Sequence, residues 1–278
     1  MGEKFEFNSL RKSIFQALFI TGIPLFAYIN FIDNIKFDVF SFFVSVFLCV
    51  FSVANMNVFF ERKALFYIVL SVVSFLSGLF YVYIFKNNSL FFFAYILTYF
   101  NWGLYYIIRR VILFPDILLH FTGGILIFYL GIIWVIDQQG EQIMKFDFFD
   151  HKKILPSFFV SFAFTAGYII DLIDDMEEDR KMGQKNLAEK IDVKLTFLLS
   201  SLMFLISYVN GFFVINQFIS RVIFVFLFLI HFSIATILFL NNRILKLIPK
   251  YRNFYRFLFV IYCFLITFDN RKIHLFTI

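Results

Sequence analysis

Long apolar runs dominate this sequence and constrain its fold more than any motif does. Nine runs are long enough to cross a bilayer core of roughly 30 Å as helices. They cover residues 13–32, 38–60, 64–85, 89–108, 111–136, 157–174, 195–216, 219–240 and 253–269. None alternates strictly between apolar and polar residues, as the strands of a membrane β-barrel do. The sequence therefore predicts an all-α, polytopic membrane helical bundle with nine transmembrane helices.

The composition is that of a membrane protein with one domain. Hydrophobic residues make up 61% of the 278 residues and charged residues only 16%, whereas a soluble domain carries about 25% charged residues. No polar domain or linker interrupts the runs, so residues 1–278 are expected to form a single membrane-embedded domain. Cys49 and Cys263 both lie in apolar runs, which argues against a disulfide framework or a zinc site.

The distribution of Lys and Arg predicts the orientation in the membrane. Of the 25 basic residues, 17 fall at the N-terminus and in the loops after the second, fourth, sixth and eighth runs, and 8 fall on the opposite side. Because cytoplasmic loops are enriched in Lys and Arg, the N-terminus is predicted to be cytoplasmic. The formal net charge of +6 then belongs mainly to these loops, and we expect no binding of nucleic acid.

The most informative polar segment directly follows the sixth run and reads DLIDDMEEDRKMGQKNL from Asp171 to Leu187. If the helix continues, Asp171, Asp175 and Asp179 lie one turn apart on one face. Carboxylates this close repel each other, more strongly at a membrane edge, and need cations nearby. Mg²⁺ suits them, because it binds a few carboxylates together with water and phosphate oxygens. The segment predicts a magnesium site for a phosphate-bearing ligand.

Two other interpretations of this segment stay open from the residues alone. An acidic run is commonly a solvated helix end, although Asp171 and Asp174 fall at or inside the apolar boundary, where an acid is costly and usually functional. A cation transporter would need its acids deep in the membrane, whereas these acids lie at its edge.

The acidic segment resembles the second aspartate-rich motif of the UbiA-type intramembrane prenyltransferases. The resemblance rests on the three aspartates at four-residue spacing and on the residues after them, Arg180, Gly183 and Asn186-Leu187. In that family the motif follows the sixth of nine spans on the cytoplasmic side, which is where the span count and the charge distribution put it in this chain.

A second, weaker similarity lies upstream. Tyr105-Tyr106-Ile-Ile-Arg109-Arg110 is similar to the family's tyrosine-to-Lys/Arg segment at the end of the fourth span. The glycines that follow are similar to those of its glycine-bearing fifth span; they are Gly123, Gly124 and Gly131.

The family's first motif, N-D-x-x-D-x-x-x-D at the end of the second span, is degenerate in this chain. Asn57 and Glu61 keep an amide and an acid at i, i+4 on one helical face, but the third acid would fall at Leu65. The second motif also departs from the family pattern, with Asn186 where Thr is common. Two opposed acidic helices hold two metal ions in the family, so the second ion is in doubt here.

The resemblance implies Mg²⁺-dependent transfer of an isoprenyl group from an isoprenyl diphosphate to an aromatic or lipid acceptor within the membrane. The implied catalytic and metal-binding residues are Asp171, Asp175 and Asp179, with Glu61 as a further metal ligand. The implied substrate-binding residues are Asn57, Glu61, Tyr105, Arg109, Arg110, Arg180 and Lys181. The partners would be the diphosphate, a hydrophobic acceptor and membrane lipid, with the acidic motif on the cytoplasmic side.

The degenerate first motif leaves a second class of function open. A non-catalytic UbiA-like paralogue would keep the fold, bind isoprenoid lipid or scaffold a partner, and perform no turnover. Neither the length of the prenyl chain nor the identity of the acceptor is encoded in these motifs.

Overall fold

The computed structural model describes residues 7–31, 39–85, 89–108, 115–139, 147, 150–181, 186–241 and 244–270. These residues are helical almost throughout and contain no β-strand. Their helices are α1 (Phe7–Phe31), α2 (Val39–Arg62), α3 (Leu65–Phe85), α4 (Ser89–Ile108), α5 (Pro115–Gln139), α6 (His151–Asp174), α7 (Met176–Lys181), α8 (Leu187–Ile191), α9 (Val193–Val214), α10 (Phe218–Leu240) and α11 (Ile244–Asn270).

The helices confirm the predicted class of an all-α, multi-pass integral membrane protein. In the described part of the chain, eight helices are long and apolar enough to cross a membrane. The predicted ninth span, 253–269, falls within α11, which is 27 residues long but is not among those eight. α11 begins well before residue 253, in a basic stretch where the sequence predicts a loop. The count of nine spans therefore stays a prediction.

The start of α6 also differs from the predicted run, which begins at residue 157. The Asp150 side chain accepts a hydrogen bond from the Lys152 backbone N–H at 3.1 Å, and the Lys153 N–H donates to the Asp150 carbonyl oxygen at 2.9 Å. Asp is a favoured N-cap because its carboxylate satisfies backbone donors at the helix start. The helix thus begins at His151 in a polar turn that a hydropathy window does not count.

The chain divides into two compact units. The first contains residues 1–107 and 126–146, and the second contains residues 108–125 and 147–278. The first half of α5 belongs to the second unit, and the rest of α5 belongs to the first unit. The prediction that residues 1–278 form one domain stays a prediction.

Aromatic rings form the core of the first unit. The fully buried Trp134 of α5 lies 5.3 Å from the Phe42 ring of α2 and 4.8 Å from the Phe91 ring of α4, measured between ring centroids. Phe42 in turn stacks on Tyr28 of α1 at 4.9 Å. Tilted, edge-to-face and stacked pairs at these distances are favourable arrangements of aromatic quadrupoles, and here they join four helices.

Gly131 allows α5 to approach α1 closely within the first unit. A Cβ atom at this position would lie 2.2 Å from the Pro24 carbonyl oxygen and 2.8 Å from the Ala27 Cβ. Contacts of this length are too short for real atoms, and two of the nearby atoms belong to backbone that cannot rotate away. Membrane helices commonly use small residues for such backbone contacts.

The Gly131→Ala variant is therefore expected to lose stability, by about 1–3 kcal/mol for overpacking of a tight interface. Thermal unfolding of the purified protein in detergent measures the effect. Gly22→Ala in α1 is the matched control, since a Cβ at Gly22 meets no atom within 4 Å, and it should be neutral or slightly stabilising. Equal midpoints for the two variants would contradict the close approach.

In the second unit α6 packs along α9 through small polar residues. The Ser200 hydroxyl donates to the Ala166 carbonyl oxygen at 2.9 Å, and the Ser207 hydroxyl donates to the Phe159 carbonyl oxygen at 2.6 Å. Both serines are buried. Interhelical hydrogen bonds from small residues are a common way of joining helices in lipid.

Two polar contacts fix α10 and α11 to their neighbours. The buried Asp269 at the end of α11 accepts from the backbone N–H groups of Asn216 at 2.7 Å and Gln217 at 2.8 Å, where α10 begins. An anion at a helix N-terminus is favourable because it meets exposed N–H donors and the positive end of the helix dipole. Deeper in the unit, the imidazole of His231 lies 2.5 Å from the Tyr208 hydroxyl and 2.6 Å from the Tyr251 hydroxyl.

Candidate functional site

The acidic segment lies at the C-terminal end of α6. Its backbone keeps helical i to i−4 hydrogen bonds across the break between α6 and α7. α6 ends at Asp174 and α7 begins at Met176. The Asp175 N–H nevertheless donates to the Asp171 carbonyl oxygen at 2.9 Å, and the Asp179 N–H donates to the Asp175 carbonyl oxygen at 2.8 Å. The one-turn spacing of the three predicted aspartates is therefore present in the fold.

α11 reaches this end of α6 because Gly167 leaves room for it. The Tyr255 hydroxyl donates to the Gly167 carbonyl oxygen at 3.3 Å, and a Cβ at Gly167 would lie 3.0 Å from that hydroxyl. Asp171 follows Gly167 by one helical turn, and Arg256 follows Tyr255 directly. The close contact thus brings an arginine of α11 to the first aspartate of the motif.

Two arginines of α11 pair with two aspartates of α6. Arg256 Nη2 donates to both carboxylate oxygens of Asp171, at 3.2 and 3.1 Å. Arg252 Nη1 donates to Asp174 and lies 3.6 Å from Asp171 Oδ1. The four side chains are partly buried. Pairs of this kind gain more from mutual attraction than fully solvated surface pairs do, because the effective dielectric is lower.

Asp179 is buried and has a different environment. The amide of Asn186 donates to Asp179 Oδ2 at 2.7 Å and to the Leu172 carbonyl oxygen at 2.8 Å, while its own oxygen accepts from the Ala188 N–H at 2.8 Å. The last bond caps α8. Asn186, which departs from the family pattern, thus ties the segment after α7 back to the end of α6.

Replacement of Asn186 by Ala is expected to destabilise the protein by about 2–4 kcal/mol, because it removes a helix cap and leaves a buried carboxylate without this donor. Chemical or thermal unfolding in detergent measures the loss. Asn210→Ala is the matched control, since the Asn210 amide makes a single bond to the Ile206 carbonyl oxygen within its own helix. If the loss of unfolding free energy is no greater than that of the control, the hydrogen bonds of Asn186 do not stabilise the fold.

Arg180 and Lys181 of the motif lie on the surface. Arg180 is 60% exposed and its Nε donates to Glu189 at 2.7 Å, and Lys181 is exposed. Arg109 and Arg110, which the sequence predicts as substrate ligands, lie outside the described residues.

The degenerate first motif lies in the first unit, at the end of α2. The Asn57 amide donates to Glu61 Oε1 at 2.8 Å, so the two side chains lie on one helical face, as the spacing predicts. Lys63 then takes a left-handed conformation with φ 59°, which ends α2, and α3 begins two residues later. Leu65, at the position of the family's third acid, is 68% exposed and supplies no ligand.

Tyr105, predicted to bind substrate, is buried near the end of α4 in the same unit. Its ring contacts Trp102 and Tyr106 at centroid distances of 5.4 and 4.9 Å, and Tyr106 stacks on Phe60 of α2 at 6.0 Å. The ends of α2 and α4 therefore share an aromatic contact next to Glu61.

A second buried carboxylate lies beside α6 in the second unit. Asp116, in the first turn of α5, accepts from the Tyr168 hydroxyl at 2.6 Å. The Tyr168 ring also stacks on His120, with centroids 4.3 Å apart, and His120 stacks on Phe164 at 4.6 Å. A polar, aromatic-lined region thus begins about one turn before Asp171 on α6.

The sequence alone did not single out the arginines of α11 as site residues. Its only signal for them was the four-residue spacing of Arg252 and Arg256 in a basic stretch predicted to lie on the same side of the membrane as Asp171. The apolar runs and the Lys and Arg distribution place them near a membrane edge but do not show which acid they meet, because α6 and α11 are far apart in the chain.

The described residues contain no group of three His, Cys, Asp or Glu side chains arranged to hold a metal ion. Asp171, Asp175 and Asp179 follow one another along the helix end, but they are not gathered into a three-ligand cluster.

Comparison with known proteins gives a likeness of fold rather than of sequence. No protein-family model matches the sequence, and no curated protein matches it either. A solved digeranylgeranylglyceryl phosphate synthase aligns with 95% of this chain and 99% of its own, with a TM-score of 0.63 and 13% sequence identity. A UbiA homologue from Archaeoglobus fulgidus, solved with DMAPP and Mg²⁺, aligns with 93% of this chain and 98% of its own, with a TM-score of 0.61 and 13% identity.

The fold is therefore that of the UbiA-type intramembrane prenyltransferases, over nearly the whole chain. This confirms the resemblance drawn from the aspartate motif and the predicted UbiA-like class of membrane helical bundle. At 13% identity the likeness concerns the fold alone, so the chemistry has to be argued from this chain's own residues.

Proposed function

We propose that this protein transfers an isoprenyl group from an isoprenyl diphosphate to a hydrophobic acceptor within the membrane, with Mg²⁺ as cofactor. The observation that carries the proposal is the acidic end of α6, where Asp171, Asp174 and Asp175 lie partly buried in a chain with the UbiA-like fold. Acids in such positions are costly and usually functional. The binding of DMAPP and Mg²⁺ by a solved homologue with this fold supports the same ligand class.

The donors at this end of α6 fit magnesium that arrives with a diphosphate. Carboxylate oxygens are hard donors, and Mg²⁺ is usually held by one or two carboxylates together with water and substrate phosphates. Asp171 and Asp175 would be its protein ligands, and water and diphosphate oxygens would complete the site. Bound there, the ion would offset the charge of the departing diphosphate.

The residues of this chain would perform the remaining tasks. Arg180 and Lys181 on α7 are candidates to attract the diphosphate from the aqueous side, since both are exposed cations beside the acids. The rings of Phe164 and Tyr168 would exclude water from the allylic carbon and stabilise positive charge there. Roles for Asp179, Asn57, Glu61, Tyr105, Arg109 and Arg110 stay predictions from the resemblance.

The Asp175→Ala variant tests the proposal in lipid nanodiscs. With a panel of labelled isoprenyl diphosphates and aromatic and lipid acceptors, its Mg²⁺-dependent prenyl transfer should fall about a hundredfold or more, corresponding to roughly 3 kcal/mol of transition-state stabilisation. Glu177→Ala, which removes an exposed acid of α7, is the matched control and should keep most of its activity. Unchanged transfer by Asp175→Ala would reject this site.

A second candidate function rests on the first motif. Because Leu65 is exposed where the family has its third acid, a non-catalytic paralogue that binds isoprenoid lipid or scaffolds a partner is the alternative. Metal-dependent binding of isoprenyl diphosphates without turnover, across the whole panel of donors and acceptors, would favour it over the transferase.

We further propose that the N-terminus and the acidic end of α6 face the cytoplasm, on the basis of the Lys and Arg distribution. A membrane-impermeant maleimide should label Glu177→Cys only in inside-out vesicles. It should label Asn216→Cys, just after the C-terminal end of α9, only in right-side-out vesicles. The natural Cys49 is buried, and a double control lacking both natural cysteines sets the background. The reverse labelling pattern would overturn the orientation.

A further inference from the structure

The arginine pair of α11 occupies the oxygens that the proposed function assigns to a metal. Arg256 Nη2 lies 3.1 and 3.2 Å from the two oxygens of Asp171, and Arg252 Nη1 lies 3.6 Å from Asp171 Oδ1 while it donates to Asp174. Two cations thus balance two carboxylates. A metal ion at Asp171 has to compete with both guanidinium groups for the same lone pairs.

The guanidinium of Arg252 also has one N–H donor without an acceptor among the described residues. Its Nε is buried, and none of the described residues accepts a hydrogen bond from it. A buried donor without an acceptor costs free energy. A ligand oxygen that accepts a hydrogen bond from Arg252 Nε would therefore recover this free energy. The planar fork of arginine suits the paired oxygens of a phosphate group.

The position of the pair is set by the packing of α11 on α6. Tyr255 is held at Gly167, and Arg252 and Arg256 are separated by one turn of the same helix, so both reach the last turn of α6. Small rotations of these long side chains would move their charged ends between the carboxylates and a ligand beside them, without any movement of the helices.

We propose that Arg252 and Arg256 form a counter-cation pair that holds Asp171 and Asp174 while no substrate is bound, and that turns to the diphosphate oxygens when the substrate arrives. The pair would release Asp171 to the metal in the same step. This inference rests on the proposed function and names the residues that regulate its metal site.

The test measures metal binding rather than turnover. Mn²⁺, a paramagnetic probe for the magnesium site, is titrated by electron paramagnetic resonance into purified protein without diphosphate. Because removal of two nearby positive charges strengthens cation binding to Asp171, the R252Q/R256Q variant should bind Mn²⁺ about tenfold more tightly than the wild type. At saturating Mn²⁺, its affinity for inorganic pyrophosphate should fall about tenfold through loss of two charged donors.

The matched control is K246Q/K250Q, which removes two positive charges at the same spacing on the same helix from side chains that are exposed. Its affinities should stay within about twofold of the wild type, since solvated charges are screened. R252K/R256K keeps the charge but loses the fork, and should lose pyrophosphate affinity without gaining affinity for Mn²⁺. If the double glutamine variant does not fold, Arg256→Gln carries the test with a smaller shift in the same direction.

The inference is overturned if the glutamine variants fold and perform prenyl transfer but bind Mn²⁺ no more tightly than the wild type. The proposed function would then still stand. If, with pyrophosphate present, the wild type and Asp171→Asn bind Mn²⁺ equally, the metal is not at Asp171, and the inference and the proposed metal site both fail. Tighter Mn²⁺ binding together with weaker pyrophosphate binding supports the inference.

Discussion

Negative charge at the end of α6 has to be balanced where that helix leaves the apolar part of the protein, and this requirement organises the region around it. A carboxylate at a membrane edge repels its neighbours across a low dielectric. The chain meets the requirement by two means: arginines of α11 beside Asp171 and Asp174, and an amide beside the buried Asp179. Asp171, Asp174 and Asp179 are therefore packed against neighbouring side chains rather than extended into solvent.

Close helix packing makes this balance of charge possible. Gly167 admits Tyr255, and the serines of α9 bind the carbonyl groups of α6, so α6 is held on two sides in the second unit. Helices that approach this closely can place short charged contacts reproducibly. If a metal ion with its diphosphate binds at such a site, the metal ion would replace the arginines beside Asp171. This exchange would need little rearrangement of the backbone.

Much of the fold could be predicted from the sequence, because its helices depend on residues that are close together in the chain. Apolar runs that are long enough to cross a bilayer predict helices directly. The i, i+4 spacing of Asn57 and Glu61 predicts that they share one helical face, where the structure joins them by a hydrogen bond. Helix ends were less predictable, since the N-cap at Asp150 and the basic start of α11 are too polar for a hydropathy window. Asn186, a departure from the family pattern, is explained by three contacts that depend on the fold.

The sequence by itself determined the all-α membrane class and the acidic character of one helix end, because hydropathy and helical spacing act between residues close in the chain. Only the tertiary structure decided which cations face those acids. Arg252 and Arg256 lie about 80 residues after Asp171 and Asp174, and ion pairs depend on distance in space, which no local pattern specifies.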